Sequence, residues 1–155
     1  MVSKNKPEES IVVYCDGACS GNQSAMNVGG WGVVLKYKQH VKELQGGERN
    51  TSNQRMELTA CIRALEEITN RKPVDVYSDS AYLINCMNER WYERWRRNGW
   101  KNAKKQPVEN RDLWEQLLEL LGTHDVTFHK VEGHAGVELN ERADLLARLG
   151  IKQIE

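Results

Sequence analysis

Stretches rich in β-branched and aromatic residues come before any helical pattern in this chain. Three such stretches follow one another closely, and two more alternate with helical segments. The predicted strands are residues 11–19, 31–37, 42–44, 74–77 and 126–131. A meander followed by strands that alternate with helices is typical of a mixed sheet. The sequence therefore predicts an α/β protein in which a five-stranded mixed sheet is flanked by helices.

The helical segments begin and end at recognisable residues. The polar cluster at residues 51–54 supplies N-cap chemistry for a helix that runs to about Asn70. Its apolar positions share one face with Glu57, so this carboxylate should point towards the core. The last helix is predicted to end at Gly150, because glycine is the residue type that most often follows a helix terminus. This last helix covers residues 139–149, and the other predicted helices are residues 80–87, 91–97 and 112–121.

Four acidic side chains occupy positions that folding alone does not explain. Asp16 closes an apolar run and Asp79 ends a predicted strand, which suits a site because sites in open α/β sheets gather at the carboxyl ends of strands. Glu57 and Asp144 lie within predicted helices. Clustered carboxylates would raise one another's pKa and destabilise the fold unless cations neutralised them. Several carboxylates without a cysteine-rich partner set favour a hard cation such as Mg²⁺.

Charge is distributed unevenly along the chain. The 22 basic and 22 acidic residues give a net charge of zero. Residues 90–105, which we call the basic segment, contain seven Lys or Arg side chains and one acid, so they carry +6 and the remainder carries −6. This asymmetry favours a polyanionic partner.

Length and composition restrict the remaining possibilities. The 155 residues predict a single domain (1–155) with an ordered core over about 11–151 and a tail at 1–10. No apolar run approaches the roughly 20 residues of a spanning helix, and the N-terminus lacks the apolar core of a signal peptide. We therefore expect a cytoplasmic monomer without a membrane partner. Four cysteines without metal-knuckle spacing are expected to be buried free thiols: Cys15, Cys19, Cys61 and Cys86.

Five short motifs occur in a specific order and spacing. They are Asp16-Gly17, Ser52-Asn53-Gln54-Arg55-Met56-Glu57, Ser78-Asp79-Ser80, Gly133-His134-Ala135-Gly136 and Asn140-Glu141-Arg142-Ala143-Asp144. Together they resemble the type 1 ribonuclease H family, of the bacterial kind with a basic protrusion, from about Ile11 to Ile151. The resemblance implies a ribonuclease H-like fold and an endonuclease that hydrolyses the RNA strand of RNA–DNA hybrids, leaving 3′-hydroxyl and 5′-phosphate ends.

The resemblance also implies a role for each acid. Phosphodiester hydrolysis needs an activated water and a stabilised leaving oxygen, which two metal ions about 4 Å apart supply. By resemblance, Asp16 would bridge two Mg²⁺ ions, with Mn²⁺ as a substitute. Asp144 would hold the ion on the water side, and Glu57 and Asp79 the ion on the leaving-group side. His134, in a glycine-flanked loop, would assist proton transfer or product release without binding metal.

A second set of residues is assigned to the hybrid by the same resemblance. The minor-groove set consists of Cys19, Asn22, Asn53 and Gln54, which would recognise ribose 2′-hydroxyls or base edges. A phosphate pocket for the DNA strand would consist of Ser52, Asn22 and Asn110. In the basic segment, which corresponds to the protrusion of the family, the hybrid-binding residues would be Trp91, Arg96, Arg97, Trp100, Lys101 and Lys104. Trp91 and Trp95 are one helical turn apart, so part of this stripe should pack against the domain.

The chain departs from the family pattern in three places. Residues 23–27 lack prolines common in relatives, and this leaves the shape of that loop open. Ala81 stands where some relatives carry a glutamine that contacts the hybrid, so we expect that contact to be missing. Ten residues before the first strand are too few for an additional hybrid-binding module.

Three of the four acids also have a purely structural alternative. Asp79 could cap the helix that follows it, and Asp144 could form an i, i+4 ion pair with Arg148. Glu57 could form a surface pair with Arg63 or Arg55. For the whole chain, the alternatives are a catalytically silent hybrid-binding module and another nuclease of the same fold. A comparison of hybrid, double-stranded DNA and double-stranded RNA as substrates separates them.

Overall fold

A computed structural model of the protein describes residues 9–20, 27–132 and 137–155. Within them, five strands form one sheet in the order β3-β2-β1-β4-β5: β1 (Ile11–Ser20), β2 (Val28–Tyr37), β3 (His40–Arg49), β4 (Pro73–Ser78) and β5 (Asp125–Lys130). β1, β2 and β3 pair antiparallel, whereas β4 is parallel to both β1 and β5. The predicted five-stranded mixed sheet is therefore confirmed.

Five helices flank this sheet in the described part of the chain. They are α1 (Asn53–Glu66), α2 (Ala81–Asn88), α3 (Trp91–Asn98), α4 (Arg111–Leu121) and α5 (Glu138–Ile154). None of these helices combines the length and apolar character needed to cross a membrane.

The two faces of the sheet are covered by different helices. Alternate residues of β1, such as Val13 and Cys15, belong to the main core, which α1, α2 and α4 complete. The intervening Tyr14 contacts a smaller cluster on the opposite face, where Ala143 and Leu146 of α5 cover the sheet. The sheet is thus a layer between one long helix and a group of three.

The β2–β3 hairpin is longer than the sequence predicted. The two strands pair from Tyr37 and His40 to Val28 and Arg49, rather than over residues 31–37 and 42–44. β3 is an edge strand whose residues are mostly exposed and often charged, which protects an edge from pairing with other chains. Such a strand lacks the apolar alternation on which its prediction depends.

α1 ends at Glu66 instead of near Asn70. The backbone N–H of Glu67 donates to the carbonyls of Ala64 and Leu65, and these shorter-range bonds close the final turn. The helix is therefore shorter than its apolar pattern predicted.

Gly150 does not end the last helix, so that prediction is wrong. α5 continues to Ile154, and Gly150 lies inside it. A Cβ atom at this position would lie 2.9 Å from the carbonyl carbon of Gly46 on β3 and even closer to its oxygen. The glycine is required because the backbones of α5 and β3 touch, not because the helix terminates there.

Candidate active site

The parallel register of β1 and β4 places two of the four acids side by side. The last parallel pair joins Tyr14 to Tyr77. Asp16 and Asp79 each lie two residues beyond that pair, so they point to the same side of the sheet. The apolar run that Asp16 closes is not the end of the strand, because β1 continues to Ser20 along β2. Asp16 lies just beyond the part of β1 that pairs with β4.

A close approach of α1 to β1 brings the third acid to the same place. A Cβ atom on Gly17 would lie 2.5 Å from the backbone nitrogen of Glu57. Because Gly17 has no side chain, the first turns of α1 pack directly beside Asp16. One carboxylate oxygen from each of Asp16, Glu57 and Asp79 lies within 4.8 Å of the other two. We call these three residues and Asp144 the carboxylate cluster.

The fourth acid arrives from the opposite face of the sheet. Asp16 pairs with Gly32 on β2, and a Cβ atom on Gly32 would collide with the backbone of Ala143 in α5. This contact places Asp144, the next residue, beside Asp16, where a side-chain hydrogen bond and the charge of Asp144 help to raise the pKa of Asp16. Asp144 also forms the alternative ion pair with Arg148, at 3.1 Å. Asp144 therefore contacts both Asp16 and the guanidinium of Arg148.

Burial and like charge perturb the acids of the cluster. Asp16 is only 7% exposed, and its burial, the charge of Asp79 and the hydrogen bond with Asp144 raise its pKa to about 8. Burial and Asp79 also raise the pKa of Glu57, although a hydrogen bond from Ser80 lowers it. Several carboxylates crowded in this way need a cation to be stable when ionised. The donor set, which consists of carboxylate oxygens, fits a hard divalent ion such as Mg²⁺.

The structural alternatives for Asp79 and Glu57 are not observed. Ser80, rather than Asp79, caps α2, because its Oγ accepts a hydrogen bond from the Leu83 N–H at 3.1 Å. Glu57 accepts a hydrogen bond from Ser80 Oγ at 2.8 Å. The neighbouring arginines pair elsewhere, Arg55 with Asp112 and Arg63 with Glu66.

The predicted groove residues within the described chain meet at the start of α1. Ser52 is its N-cap, with Oγ accepting from the backbone N–H of Arg55 at 3.1 Å. Asn53 and Gln54 form the exposed first turn that follows. Cys19 reaches this turn from β1, its thiol lying 4.0 Å from the carbonyl oxygen of Thr51. The roles of these residues in binding remain predictions.

Arg55 is a residue that the sequence analysis considered only as a partner of Glu57. Its guanidinium donates to Asn110 Oδ1 at 3.2 Å and to both carboxylate oxygens of Asp112. Its backbone bonds Ser52, so it joins two residues of the predicted phosphate pocket. The sequence did offer a signal for this role, because Arg55 is a cation close to Ser52 and Asn53 in the same motif.

Two predicted residues lie outside the described parts of the chain. Asn22 falls within residues 21–26 and His134 within residues 133–136. The predicted roles of both, and the shape of most of the 23–27 loop, stay predictions. Ala81 is the exposed first residue of α2.

The basic segment divides into a packed side and an exposed side. The ring of Trp95 lies 5.7 Å from those of Trp100 and Trp114, and Trp100 is only 8% exposed. Trp100 therefore packs in the core, and its contact with the hybrid stays a prediction. Trp91 is 38% exposed. The exposed cations, which form no ion pair with described residues, are Arg94, Arg96, Arg97, Lys101, Lys104 and Lys105.

Comparisons of sequence show related proteins that share the length of this chain. The family model described as RNase H matches residues 8–152. Ribonuclease H of Chlorobaculum parvum is 52% identical over 146 residues, which cover 94% of this chain and 98% of that protein. Ribonuclease H of Syntrophomonas wolfei is also 52% identical, over 147 residues covering 94% of this chain and 99% of that protein.

Solved structures share the fold. LC9-RNase H1, described as a type 1 RNase H with the type 2 active-site motif, is 31% identical with a TM-score of 0.83, covering 95% of this chain and 74% of that one. LC11-RNase H1, solved in complex with an RNA/DNA hybrid, is 21% identical with a TM-score of 0.69 and coverages of 94% and 99%. The second likeness supports the fold alone.

Proposed function

The chain belongs to the RNase H family, and from this membership we propose that its carboxylate cluster is the catalytic centre. The protein is a ribonuclease H, an enzyme that hydrolyses the RNA strand of RNA–DNA hybrids. The observation that carries the proposal is the convergence of Asp16, Glu57 and Asp79 within 4.8 Å, with Asp144 bonded to Asp16.

The cluster is suited to hold metal ions. Two Mg²⁺ ions, or Mn²⁺ as a substitute, would activate water and stabilise the charge that develops on the phosphoryl and leaving oxygens. We propose that Asp16 is shared between both ions, with Asp144 on the side of the attacking water and Glu57 and Asp79 on the side of the leaving group. Burial, together with the charge of Asp79, raises the pKa values of Asp16 and Glu57, so bound cations would favour the ionised forms of both side chains.

The residues around the cluster would orient the reacting groups. The Asp144 carboxylate contacts both Asp16 and Arg148, so the guanidinium of Arg148 places a positive charge beside the cluster. We assign His134 the transfer of a proton or the release of product, since an imidazole exchanges protons near neutral pH.

Substrate binding would involve two surfaces. At the start of α1, Asn53 and Gln54 would recognise ribose hydroxyls in the minor groove together with Cys19 and Asn22. Ser52 and Asn110, with Asn22, would bind a phosphate of the DNA strand, and the position of Arg55 between Ser52 and Asn110 adds a cation to that pocket. The exposed cations of the basic segment would follow the phosphate backbone.

Further properties are proposed with this function. The products would carry 3′-hydroxyl and 5′-phosphate ends. The chain would act as one domain and as a monomer in the cytoplasm. Four free cysteines, three of them buried, are compatible with a reducing compartment.

Cleavage of labelled nucleic acids tests the proposal. The chain is incubated with an RNA–DNA hybrid, double-stranded DNA and double-stranded RNA, each with Mg²⁺ and with EDTA. We expect cleavage of the hybrid RNA strand alone, only with the metal, and none by Asp16→Asn. Comparable cleavage of DNA would indicate another nuclease of the same fold. Binding of hybrid without cleavage would indicate a silent module.

A further inference from the structure

Ser80 connects the carboxylate cluster to the helix that follows it. The residue comes directly after Asp79 and is only 4% exposed. Its Oγ donates to Glu57 Oε1 at 2.8 Å and accepts from the Leu83 N–H at 3.1 Å. Its backbone N–H donates to Ser78 Oγ at 3.0 Å. Ser80 therefore contacts α1 and α2 through its side chain and β4 through its backbone.

The capping bond fixes the position of Ser80 Oγ, because rotation about Cα–Cβ would break the cap of α2. A hydroxyl has one hydrogen to donate, and the Leu83 N–H occupies one of its acceptor directions. From this fixed position the hydroxyl donates its hydrogen to Glu57 Oε1. The N-cap residue of α2 therefore also holds the Glu57 carboxylate.

Glu57 depends on this contact for its orientation. Among the described residues, the hydrogen bond from Ser80 is the one that its carboxylate accepts. That bond occupies Oε1 and leaves Oε2 without a hydrogen bond from the described residues.

We propose that Ser80 is a positioning residue, which holds the Glu57 carboxylate in the orientation that binds a divalent cation. The inference rests on the proposed function. It concerns a hydroxyl that touches a ligand residue, not the cation or the substrate. Outer partners of metal ligands typically contribute about 10- to 100-fold to metal affinity or activity.

Three variants separate positioning from helix capping. Ser80→Ala loses both the cap and the bond to Glu57. Ser80→Gly loses the bond to Glu57 but keeps an acceptable N-cap residue, because glycine is tolerated at this position far better than alanine. Ser80→Thr keeps a hydroxyl for both roles. Thr123→Ala is the control, because it removes a different hydroxyl hydrogen bond, to the Leu120 carbonyl, on the exposed surface.

Metal binding is measured directly, by calorimetric titration with Mn²⁺ and by the rise in Tm on adding Mg²⁺, and then through the Mg²⁺ concentration that gives half-maximal cleavage. We expect Ser80→Ala and Ser80→Gly to weaken cation binding about 10- to 100-fold. Ser80→Thr should recover most of this affinity, and Thr123→Ala should retain all of it.

The outcomes distinguish this inference from the proposed function. If Ser80→Gly or Ser80→Ala binds Mn²⁺ within about twofold of the unaltered chain, Ser80 only caps α2 and the inference is wrong, even where Tm falls. The proposed function fails if the unaltered chain cleaves no hybrid and shows no cation binding that is lost in Asp16→Asn. In that case the role of Ser80 fails with it.

Discussion

Asp16→Asn should stabilise the metal-free protein while it abolishes cleavage. The pKa of Asp16 rises from 3.8 to about 8 on folding, because the carboxyl is buried beside Asp79 and Asp144. Between these two values the folded state binds more protons than the unfolded state, so stability falls as pH rises. The asparagine has a similar shape and no charge, and it removes this dependence.

The size of the effect follows from the pKa difference. Because the folded state keeps a proton on Asp16 that the unfolded state has released, the raised pKa lowers the free energy of unfolding by about 4 kcal/mol at about pH 7 and by about 1.6 kcal/mol at about pH 5. The stability advantage of Asp16→Asn over the unaltered chain should therefore be about 2.4 kcal/mol larger at the higher pH. A change of this size corresponds to roughly 5–10 °C in Tm for a chain of this length.

Thermal and denaturant unfolding in EDTA, followed by circular dichroism across this pH range, measure the difference. Asp125→Asn is the matched control, since it removes an exposed, ion-paired carboxylate outside the cluster and should stay within about 0.5 kcal/mol. Mg²⁺ should narrow the gap by stabilising the unaltered chain. If Asp16→Asn were no more stable than the unaltered chain at neutral pH, or if the gap did not widen with pH, the crowding of charge inferred for the cluster would be refuted.

Three further predictions concern binding and packing. One variant replaces four cations of the basic segment by alanine: Arg96, Arg97, Lys101 and Lys104. It should raise KM several-fold with little change in kcat at saturation, and it should reduce the slope of log KM against log salt concentration. An equal fall in kcat would contradict a pure binding role. Arg55→Ala should likewise raise KM for the hybrid while changing stability by less than about 1 kcal/mol, as urea titration would show. Gly150→Ala should cost about 1–3 kcal/mol or more, because its methyl group would overlap the β3 backbone, whereas Gly122→Ala should cost far less in the same titration.

Patterns that repeat within a single element were sufficient to predict most of the fold. The apolar periodicity of residues 112–121 predicted a helix that the structure extends by one residue, to Arg111. The β-branched residues at 126–131 predicted β5 with a shift of one residue. These predictions worked because each element buries one face against the core, and burial leaves a period in the sequence. β3 was underestimated because an edge strand buries little.

Contacts between elements could not be read in this way. Glycine is the residue type that most often follows a helix, and only the contact with β3 explains why Gly150 lies within α5. Trp100 lies among the cations of the basic segment, yet its ring packs against Trp95. Arg55 joins Asn110 across 55 positions of sequence. In each case the partner comes from another element, so no local pattern encodes the contact.

For the carboxylate cluster, the sequence by itself determined which acids stand out and in which order they occur, because motif spacing is a property of the chain. Only the tertiary structure decided that they meet. The parallel register of β1 and β4 sets Asp16 beside Asp79, and close backbone contacts at Gly17 and Gly32 bring Glu57 and Asp144 to them. The physical reason is that register and backbone approach depend on packing between distant segments, and it is this packing that makes four separate acids into one charged site.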